Sequence, residues 1–329
     1  MKKLDLTIGI VNYNTSELLK SCILSIIEKT KGVSYRVVVV DNASKDNSVT
    51  MLKTEFPEVE VIENKKNVGF PSAVNQAIAI SDSRYFLLFN SDAQPLNDAF
   101  STIVDFMDSH PEVGICTPQL YYPNGAPQVS HYPFRYPNER SKWEIAPRMK
   151  TLKALVVKER ELSIEKDKGV AKKVASNPQP VQRPRGVCFM IKQECIKDIG
   201  PMDGNFFIYS DEVDFAWRAR NAGWKRYIVP AAKVKHEQGG STRKMASLMD
   251  MIHVQSDYYY FYKHFGIIGW SKVRLSYLAG ALLALLLGVL SKSAKSLSED
   301  QQPQKHFADF KALMTLFLLV KKIMPPDAR

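Results

Sequence analysis

Apolar runs alternate with helix-like stretches over the first 120 residues, and this alternation constrains the fold more than any other feature. The runs "LTIGIV", "RVVVVD", "YFLLFN" and "VGICTPQL" are continuous, as in strands that are covered on both faces. Residues 16–29 place apolar side chains at helical spacing, and further helices are expected after Pro71 and near 97–109. The pattern predicts an α/β fold with a mostly parallel central sheet covered by helices on both faces.

Polar side chains stand where the early strands end. They are Asn12 and Asn14, Asp41 and Asn42, Asn64 and Asn67, and Asn90 and Asp92. Ligands of open α/β sheets bind outside the carboxyl ends of the strands. One polar strand end is usually only a turn, but four in succession predict a binding cleft.

The charge balance indicates the kind of partner. Lys and Arg number 45 against 34 Asp and Glu, which gives a formal net charge of +11. Such a surplus favours nucleotides or an acidic membrane surface. Aromatic residues are not interleaved with Lys and Arg in a nucleic-acid-binding motif, so no nucleic acid partner is expected.

The cysteines and the start of the chain indicate the compartment. Cys22, Cys116, Cys188 and Cys195 lie in or beside apolar segments without a C-x-x-C pair, which predicts buried free thiols in a reducing compartment. The apolar stretch in "MKKLDLTIGIV" is too short for a signal peptide and is interpreted as a first strand. We therefore expect a cytoplasmic protein, or one on the cytosolic face of a membrane.

Two later regions depart from this pattern. Residues 141–185 carry twelve Lys and Arg against five Asp and Glu, and are interpreted as a solvated basic loop or as a lid that binds an acceptor. Residues 275–291 are uncharged but reach only about 25 Å as a helix, which is marginal for spanning a membrane. The tail from 247 to 329 is expected to be helical. Its helices either pack on the protein or, as we favour, attach it to a membrane surface.

Two further groups could do chemistry. Asp211, Glu212 and Asp214 lie in the first turn of a predicted helix that ends at Gly223. Carboxylates in a first turn can cap and stabilise the helix, but here they also lie at the edge of the predicted core. His236 lies in a predicted polar loop, followed by the pair Gly239-Gly240. Alone, neither group distinguishes a structural role from a functional one.

Taken in order, these segments resemble glycosyltransferase family 2, and within it the rhamnosyltransferase-like subgroup. The resemblance covers most of residues 5–240 and rests on "TIGIVNYN", "VVVVDNASKDNSV", "NKKNVGFPSAVNQAI", "YFLLFNSDAQP" and the long stretch from "GVCFMIK" to "KHEQGGST". It implies a GT-A type domain over 1–246, with a nucleotide-sugar half at 1–120, the basic loop, and an acceptor half at 186–246. The helical tail follows.

The resemblance also implies a donor site. Asp92 and His236 would bind Mg²⁺ or Mn²⁺, with Asn90 as a weak ligand or an orienting group. Asp41 would accept hydrogen bonds from the base or ribose of a dTDP-, UDP- or GDP-linked sugar, and the subgroup leans towards dTDP-rhamnose. Asn12, Asn14 and the turn from Asn67 to Gly69 would line the nucleotide.

The acidic turn would then activate the acceptor. Family members carry Glu-Asp here and the Asp is the base, whereas this chain has Asp211-Glu212, so Glu212 stands at the base position and Asp211 is the alternative. A single displacement would invert the anomeric centre. The acceptor would be a lipid-linked or cell-surface glycan, met at the cytosolic face of the inner membrane.

Two other functions compete with this interpretation. A sugar-phosphate nucleotidyltransferase would need a Gly- and Arg-rich phosphate loop after the first strand, which "GIVNYNTSELL" lacks. A membrane adaptor that binds nucleotide or glycan without turnover would fit Asn90 and the reversed Asp-Glu order.

Overall fold

The computed structural model describes residues 4–137, 174–237 and 246–294 of the 329-residue chain. The chain divides into two compact units. The first comprises residues 1–134 and 167–246, and the second comprises residues 135–166 and 247–329. Most of the basic segment predicted over 141–185, and the Gly239-Gly240 pair, lie outside the described residues.

One large sheet forms the framework of the first unit. Its main strands run in the order β3-β2-β1-β4-β11-β6-β12-β5. β1, β2, β3 and β4 pair in parallel, as do β6 and β12, whereas β11 is antiparallel to both β4 and β6. The strands are β1 (Leu6–Asn12), β2 (Tyr35–Asp41), β3 (Glu60–Glu63), β4 (Tyr85–Asn90), β5 (Ala93–Pro95), β6 (Val113–Tyr121), β7 (Pro127–Gln128), β8 (His131–Tyr132), β9 (Gln179–Pro180), β10 (Arg183–Pro184), β11 (Cys188–Lys192) and β12 (Lys225–His236).

Apolar side chains on the two faces of this sheet form two separate clusters. Val37 and Val39 contribute to one cluster and Val38 and Val40 to the other, because successive side chains of a strand point to opposite faces. The helices are α1 (Ser16–Lys29), α2 (Ser48–Glu55), α3 (Phe70–Ala79), α4 (Ala99–Ser109), α5 (Gln193–Ile199) and α6 (Asp211–Asn221). Residues of α1, α2 and α4 join the first cluster, and residues of α3, α5 and α6 join the second. The predicted mostly parallel sheet covered on both faces is confirmed.

Several local predictions can be compared directly with the structure. The helix predicted over 16–29 has those bounds. Gly223 has φ +88° just beyond α6, the left-handed conformation in which glycine ends a helix. The polar loop predicted around His236 is wrong, because β12 continues through that residue and pairs with β5 and β6. Alternating charged and apolar residues in "AAKVKH" suit a strand with one exposed face.

All four cysteines are free and buried, as predicted. Burial raises the pKa of each thiol above its ordinary value. Since the thiolate is the nucleophile and the metal ligand, these cysteines act as small apolar core residues.

The second unit is dominated by α7 (Ala246–Ala294), which has a non-helical backbone at Gly266 (φ +61°, ψ −161°) and so consists of two helices across a kink. Asp257 is buried in its first half and has two partners: Arg135 Nη1, from outside the helix, is 2.5 Å from Asp257 Oδ1, and His253 Nδ1 is 3.2 Å from Asp257 Oδ2. Within the described ranges, no helix combines the length and the apolar character that crossing a membrane requires.

Candidate active site

A buried hydrogen-bond network joins the ends of β1 and β2. Asn12 Nδ2 donates to Asp41 Oδ2 (2.9 Å) and to Ser44 Oγ (3.0 Å), and Thr15 Oγ1 donates to Asn12 Oδ1 (2.6 Å). The backbone N–H of Ser44 donates to Asp41 Oδ1 at 2.9 Å. Asn12 is 0% exposed and Asp41 is 2% exposed. The amide of Asn12 therefore fixes the position of the Asp41 carboxylate at the edge of the sheet.

Asn14 shapes the turn that carries this network. Its φ of +55° is left-handed, a conformation that asparagine tolerates better than most residues. Its backbone N–H donates to Ser44 Oγ (2.9 Å), and its Oδ1 accepts from the N–H of Lys45 (2.7 Å). The side chain is exposed beside the cleft and ties together the turns after β1 and β2.

Asn42 connects the end of β2 to the turn before α3, although the family resemblance assigned it no role. Its Nδ2 donates to Asn67 Oδ1 (2.9 Å) and to the Gly69 carbonyl (3.3 Å), and its Oδ1 accepts from the N–H of Val68 (3.0 Å). Asn67 Oδ1 also accepts from the N–H of Gly69 at 3.0 Å. The structure thus brings Asn67 and Gly69 to the same edge as Asp41.

Only glycine fits at position 69. Its φ is +87°, and a Cβ there would lie 2.8 Å from the carbonyl oxygen of Phe207. That same oxygen accepts a 2.6 Å hydrogen bond from the N–H of Phe70, the first residue of α3. Gly69 therefore allows the loop before α6 to close onto the start of α3.

The segment from Asn90 to Asp92 leaves β4 at this edge. The backbone N–H of Asn90 donates to the Val187 carbonyl (3.0 Å), and Ser91 Oγ shares a 3.0 Å hydrogen bond with Thr15 Oγ1. The backbone of Asp92 is held by a hydrogen bond in which its carbonyl accepts from the N–H of Glu237 at 3.0 Å. The Asp92 side chain is 12% exposed.

The pairing of β5 with β12 brings Asp92 to His236, which is 144 positions later in the chain. Asp92 Oδ1 lies 3.4 Å from His236 Nε2. The other ring nitrogen, Nδ1, lies 2.9 Å from Gln128 Oε1 on β7. His236 and Gln128 are 4% and 1% exposed. Sequence reasoning missed Gln128, because an isolated glutamine in a short hairpin carries no motif.

The donor chemistry of this pair fits a divalent cation. A carboxylate oxygen suits Mn²⁺ or Mg²⁺, an imidazole nitrogen suits a transition-metal ion such as Mn²⁺ better than Mg²⁺, and 3.4 Å is close enough for one ion to bind both atoms. Asp92 and His236 would provide two protein ligands, and no cluster of three or more His, Cys, Asp or Glu with metal-binding geometry occurs in the described part of the chain.

The two candidate carboxylates of the acidic turn differ in their exposure to solvent. Asp211 is 3% exposed, whereas the side chain of Glu212 is 20% exposed. Burial raises the pKa of Asp211 well above its usual range, and the neighbouring Glu212 carboxylate adds to the rise. Ser210 precedes the helix with φ +63° and makes no side-chain capping bond to it.

Arg183 faces Glu212 from the small β8–β10 ribbon. Its Nη1 lies 3.5 Å from Glu212 Oε1, and its Nε donates to the Pro133 carbonyl at 2.9 Å. The guanidinium also lies over the Tyr132 ring, 4.8 Å from the ring centre. Sequence reasoning missed this pair because 29 residues separate its members. Within α6, Asp214 and Arg218, one helical turn apart, form a second ion pair at 2.9 Å.

One short segment connects the acidic turn to the end of β4. Val187 accepts the hydrogen bond from Asn90, and the adjacent Gly186 lies against Glu212, with a built Cβ only 3.2 Å from Glu212 Cβ. The Asn90–Asp92 segment and Glu212 thus lie on opposite sides of a two-residue stretch. The sheet brings the predicted metal ligands and the predicted base to one edge.

The family model for glycosyl transferase family 2 matches residues 7–158. The chain carries a family 2 glycosyltransferase domain. N-acetylglucosaminyl-diphospho-decaprenol L-rhamnosyltransferase of Mycobacterium tuberculosis is 22% identical across 78% of this chain and 84% of the relative. The hexosyltransferase Agl10 of low-salt glycan biosynthesis in Haloferax volcanii is 26% identical across 66% of this chain and 62% of its own length. The predicted resemblance to rhamnosyltransferase-like glycosyltransferases of family 2 is confirmed.

Solved structures show the same GT-A fold. The mannosyltransferase PcManGT from Pyrobaculum calidifontis, in complex with GDP-Man and Mn²⁺, matches with a TM-score of 0.53 and 14% identity across 96% of this glycosyltransferase and 81% of that chain. GalNAc-T7 with UDP, GalNAc and Mn²⁺ matches with a TM-score of 0.54 and 15% identity across 80% of this chain. The match covers 51% of GalNAc-T7, so this glycosyltransferase spans about half its length.

Proposed function

We propose that this glycosyltransferase moves a hexose, with rhamnose favoured, from a nucleoside diphosphate to a hydroxyl of a polyprenyl-linked or cell-surface glycan, with inversion at the anomeric carbon. The observation that carries the proposal is that Asp92 and His236, 3.4 Å apart, share one sheet edge with the Asp41 network and Glu212. The acceptor class and sugar are supported by the name of the mycobacterial relative, a rhamnosyltransferase for a diphospho-decaprenol substrate.

The donor nucleotide would bind at the ends of β1 and β2. Asp41 would accept hydrogen bonds from the base or ribose through the lone pairs that Asn12 and Ser44 leave. Asn12 acts through Asp41, and Asn14 shapes the wall of the cleft. The turn from Asn67 to Gly69 would lie along the nucleotide, because Asn42 holds it at this edge.

The diphosphate would lie at the end of β4. Asp92 and His236 would hold Mg²⁺ or Mn²⁺, which when bound neutralises charge that develops on the departing nucleoside diphosphate. Two solved GT-A structures that resemble this chain contain Mn²⁺, which supports this choice of ions. Asn90, at the last position of β4, would orient a water or a ribose hydroxyl beside the diphosphate.

Glu212 would be the base. Its carboxylate would take the proton of the acceptor hydroxyl while that oxygen bonds to the anomeric carbon and the bond from this carbon to the diphosphate oxygen breaks. Glu212 suits this role better than Asp211, because it is the more exposed of the two and faces the cation of Arg183. Burial raises the pKa of Asp211, which favours its protonated form and makes it the weaker candidate for a base.

Calorimetry with dTDP, UDP and GDP, with and without Mn²⁺, tests the donor site. We expect one nucleotide to bind tightly only with Mn²⁺, and Asp92→Ala to abolish that dependence. Asp105→Ala, which removes an exposed carboxylate from α4, is the matched control and should bind like the wild type. Binding that ignores both the metal and the Asp92 substitution would overturn the proposed mechanism.

We further propose that the second unit attaches the enzyme to the cytosolic face of the inner membrane. Ile267, Ile268 and Leu275 are 56–68% exposed, and Lys263 and Lys272 are exposed near them. Apolar side chains flanked by lysines suit the headgroup region of an anionic bilayer. The net charge of +11 adds long-range attraction.

Co-sedimentation with phosphatidylglycerol vesicles tests this attachment. Ile268→Glu should weaken binding of the full chain, because it places a negative charge against an anionic surface. Leu24→Glu makes the same change at a 50% exposed aliphatic residue of α1 and should bind normally. Equal binding by both variants would contradict a membrane role for the second unit.

A further inference from the structure

Gln128 is a fully buried polar residue that the proposed chemistry does not use. Its side-chain oxygen lies 2.9 Å from Nδ1 of His236, across 108 positions of sequence. A glutamine that is 1% exposed is unusual, because burying an amide is costly unless its hydrogen bonds are satisfied. The position of this amide therefore calls for a specific role.

The hairpin around Gln128 is built to hold it in place. Its carbonyl accepts from Gln119 Nε2 (3.0 Å) and from Ser130 Oγ (3.3 Å). Ser130 Oγ in turn accepts from the backbone N–H of Leu120 at 2.8 Å. Gln119 and Ser130 are themselves buried. The backbone of Gln128 is thus fixed to β6, and its side chain is aimed at β12.

The contact bears on which ring nitrogen of His236 carries the proton. The Gln128 amide is oriented with its oxygen towards Nδ1, and an amide oxygen is only an acceptor. In this orientation Nδ1 is the donor, and neutral imidazole keeps the lone pair on Nε2. Nε2 is the atom that faces Asp92. Without Gln128, the Asp92 carboxylate would favour the opposite tautomer, with a proton on Nε2 where a metal ligand needs a lone pair.

We propose that Gln128 is a positioning residue that holds His236 in the Nδ1–H tautomer and so keeps Nε2 available as a metal ligand. This inference rests on the proposed function, because it concerns the same metal site. Partners of this kind, behind a histidine ligand, typically change metal affinity or activity 10–100-fold when they are removed. A purely structural Gln128 would stabilise the hairpin and leave the tautomer of His236 unchanged.

The tautomer can be read without metal by ¹⁵N NMR of histidine-labelled full-length protein. The chain has six histidines, and His236→Ala assigns the signal of interest. We expect Nδ1–H in the wild type and a shift to Nε2–H in Gln128→Met, which keeps the volume but removes the acceptor. Gln128→Glu keeps an acceptor and should restore Nδ1–H. An unchanged tautomer in Gln128→Met would overturn the inference.

Mn²⁺ titration followed by electron paramagnetic resonance gives the second measurement. The dissociation constant should rise 10–100-fold in Gln128→Met and recover in Gln128→Glu. Gln119→Met is the matched control, because it removes a buried hydrogen bond from the same hairpin without touching His236. If Gln119→Met weakens Mn²⁺ binding as much as Gln128→Met does, the role is structural and the inference is wrong.

The two proposals fail in different ways. If the wild type binds no Mn²⁺ with or without nucleotide, the proposed metal site is wrong, whatever the NMR result. If the wild type binds Mn²⁺ and Gln128→Met binds it equally well, only the role of Gln128 is wrong. Because the NMR measurement needs only folded protein, a variant that loses Mn²⁺ but keeps the wild-type tautomer also contradicts the inference.

Discussion

The two halves of the candidate active site are built differently. At the ends of β1 and β2, neutral amides bond to one another and to the carboxylate of Asp41. The acidic turn instead has neighbouring carboxylates at Asp211 and Glu212. A hydrogen-bond network of neutral side chains thus characterises the ends of β1 and β2, whereas adjacent negative charges characterise the acidic turn.

Backbone strain is common to both regions. Tyr209 and Ser210 have φ values of +69° and +63° directly before the acidic turn, and Asn14 and Ala43 have φ values of +55° and +67° at the donor edge. Each left-handed residue other than glycine costs on the order of 1–3 kcal/mol, which the surrounding structure must offset. The neighbouring carboxylates, and not the backbone conformation, therefore distinguish the acidic turn.

The largest effect should follow from Glu212→Gln. Removing the base should lower kcat by about 10²–10⁴-fold while nucleotide affinity stays at the wild-type value. Asp211→Asn is the matched comparison and should keep most of the activity, because burial raises the pKa of Asp211 and so favours its neutral form, which asparagine resembles. Steady-state kinetics with donor and acceptor, together with calorimetry of donor binding, measure both. If Asp211→Asn is the inactive variant, the assignment of the base is reversed.

Gly69→Ala should have the next largest effect, on stability and donor binding. A Cβ at this left-handed position would lie 2.8 Å from the Phe207 carbonyl and push the loop before α6 away. Gly125 is equally left-handed (φ +78°) but has nothing within 4 Å, so Gly125→Ala reports the conformational cost alone. Urea denaturation should show Gly69→Ala less stable than Gly125→Ala by about 1–3 kcal/mol. Equal losses would mean that the Phe207 contact is easily displaced.

The smallest effect concerns stability against pH. A carboxyl whose pKa is raised in the folded state binds its proton there more tightly than in the unfolded state, so stability falls as pH rises between the two values. Asp211 therefore weakens the fold progressively above the ordinary pKa of an aspartate. Asp211→Asn should remove this loss, so its stability relative to the wild type should grow from pH 5 to pH 8 in urea denaturation. A constant difference would show that Asp211 is ionised in the folded protein.

The sequence was most informative where local physics decides the structure. The bounds of α1 and the conformation of Gly223 follow from apolar spacing and from the properties of glycine. The contacts of Gln128 and Arg183 could not be predicted in this way. Each depends on a strand pairing between distant segments, such as the one that brings Gln128 to His236 across 108 positions. The wrong loop around His236 has the same cause, because pairing with β5 and β6 extends a strand that composition alone would end.

The direction of β11 has a consequence for how this enzyme can change. Because β11 runs opposite to β4, the two residues just before β11, Gly186 and Val187, meet the carboxyl end of β4 beside Glu212. A parallel strand would have delivered its final residues there and left its preceding loop on the far side. Whatever chain precedes Gly186 therefore opens directly onto the reacting edge. An insertion ahead of this strand would therefore lie beside the proposed acceptor site and leave the sequence of the donor half unchanged.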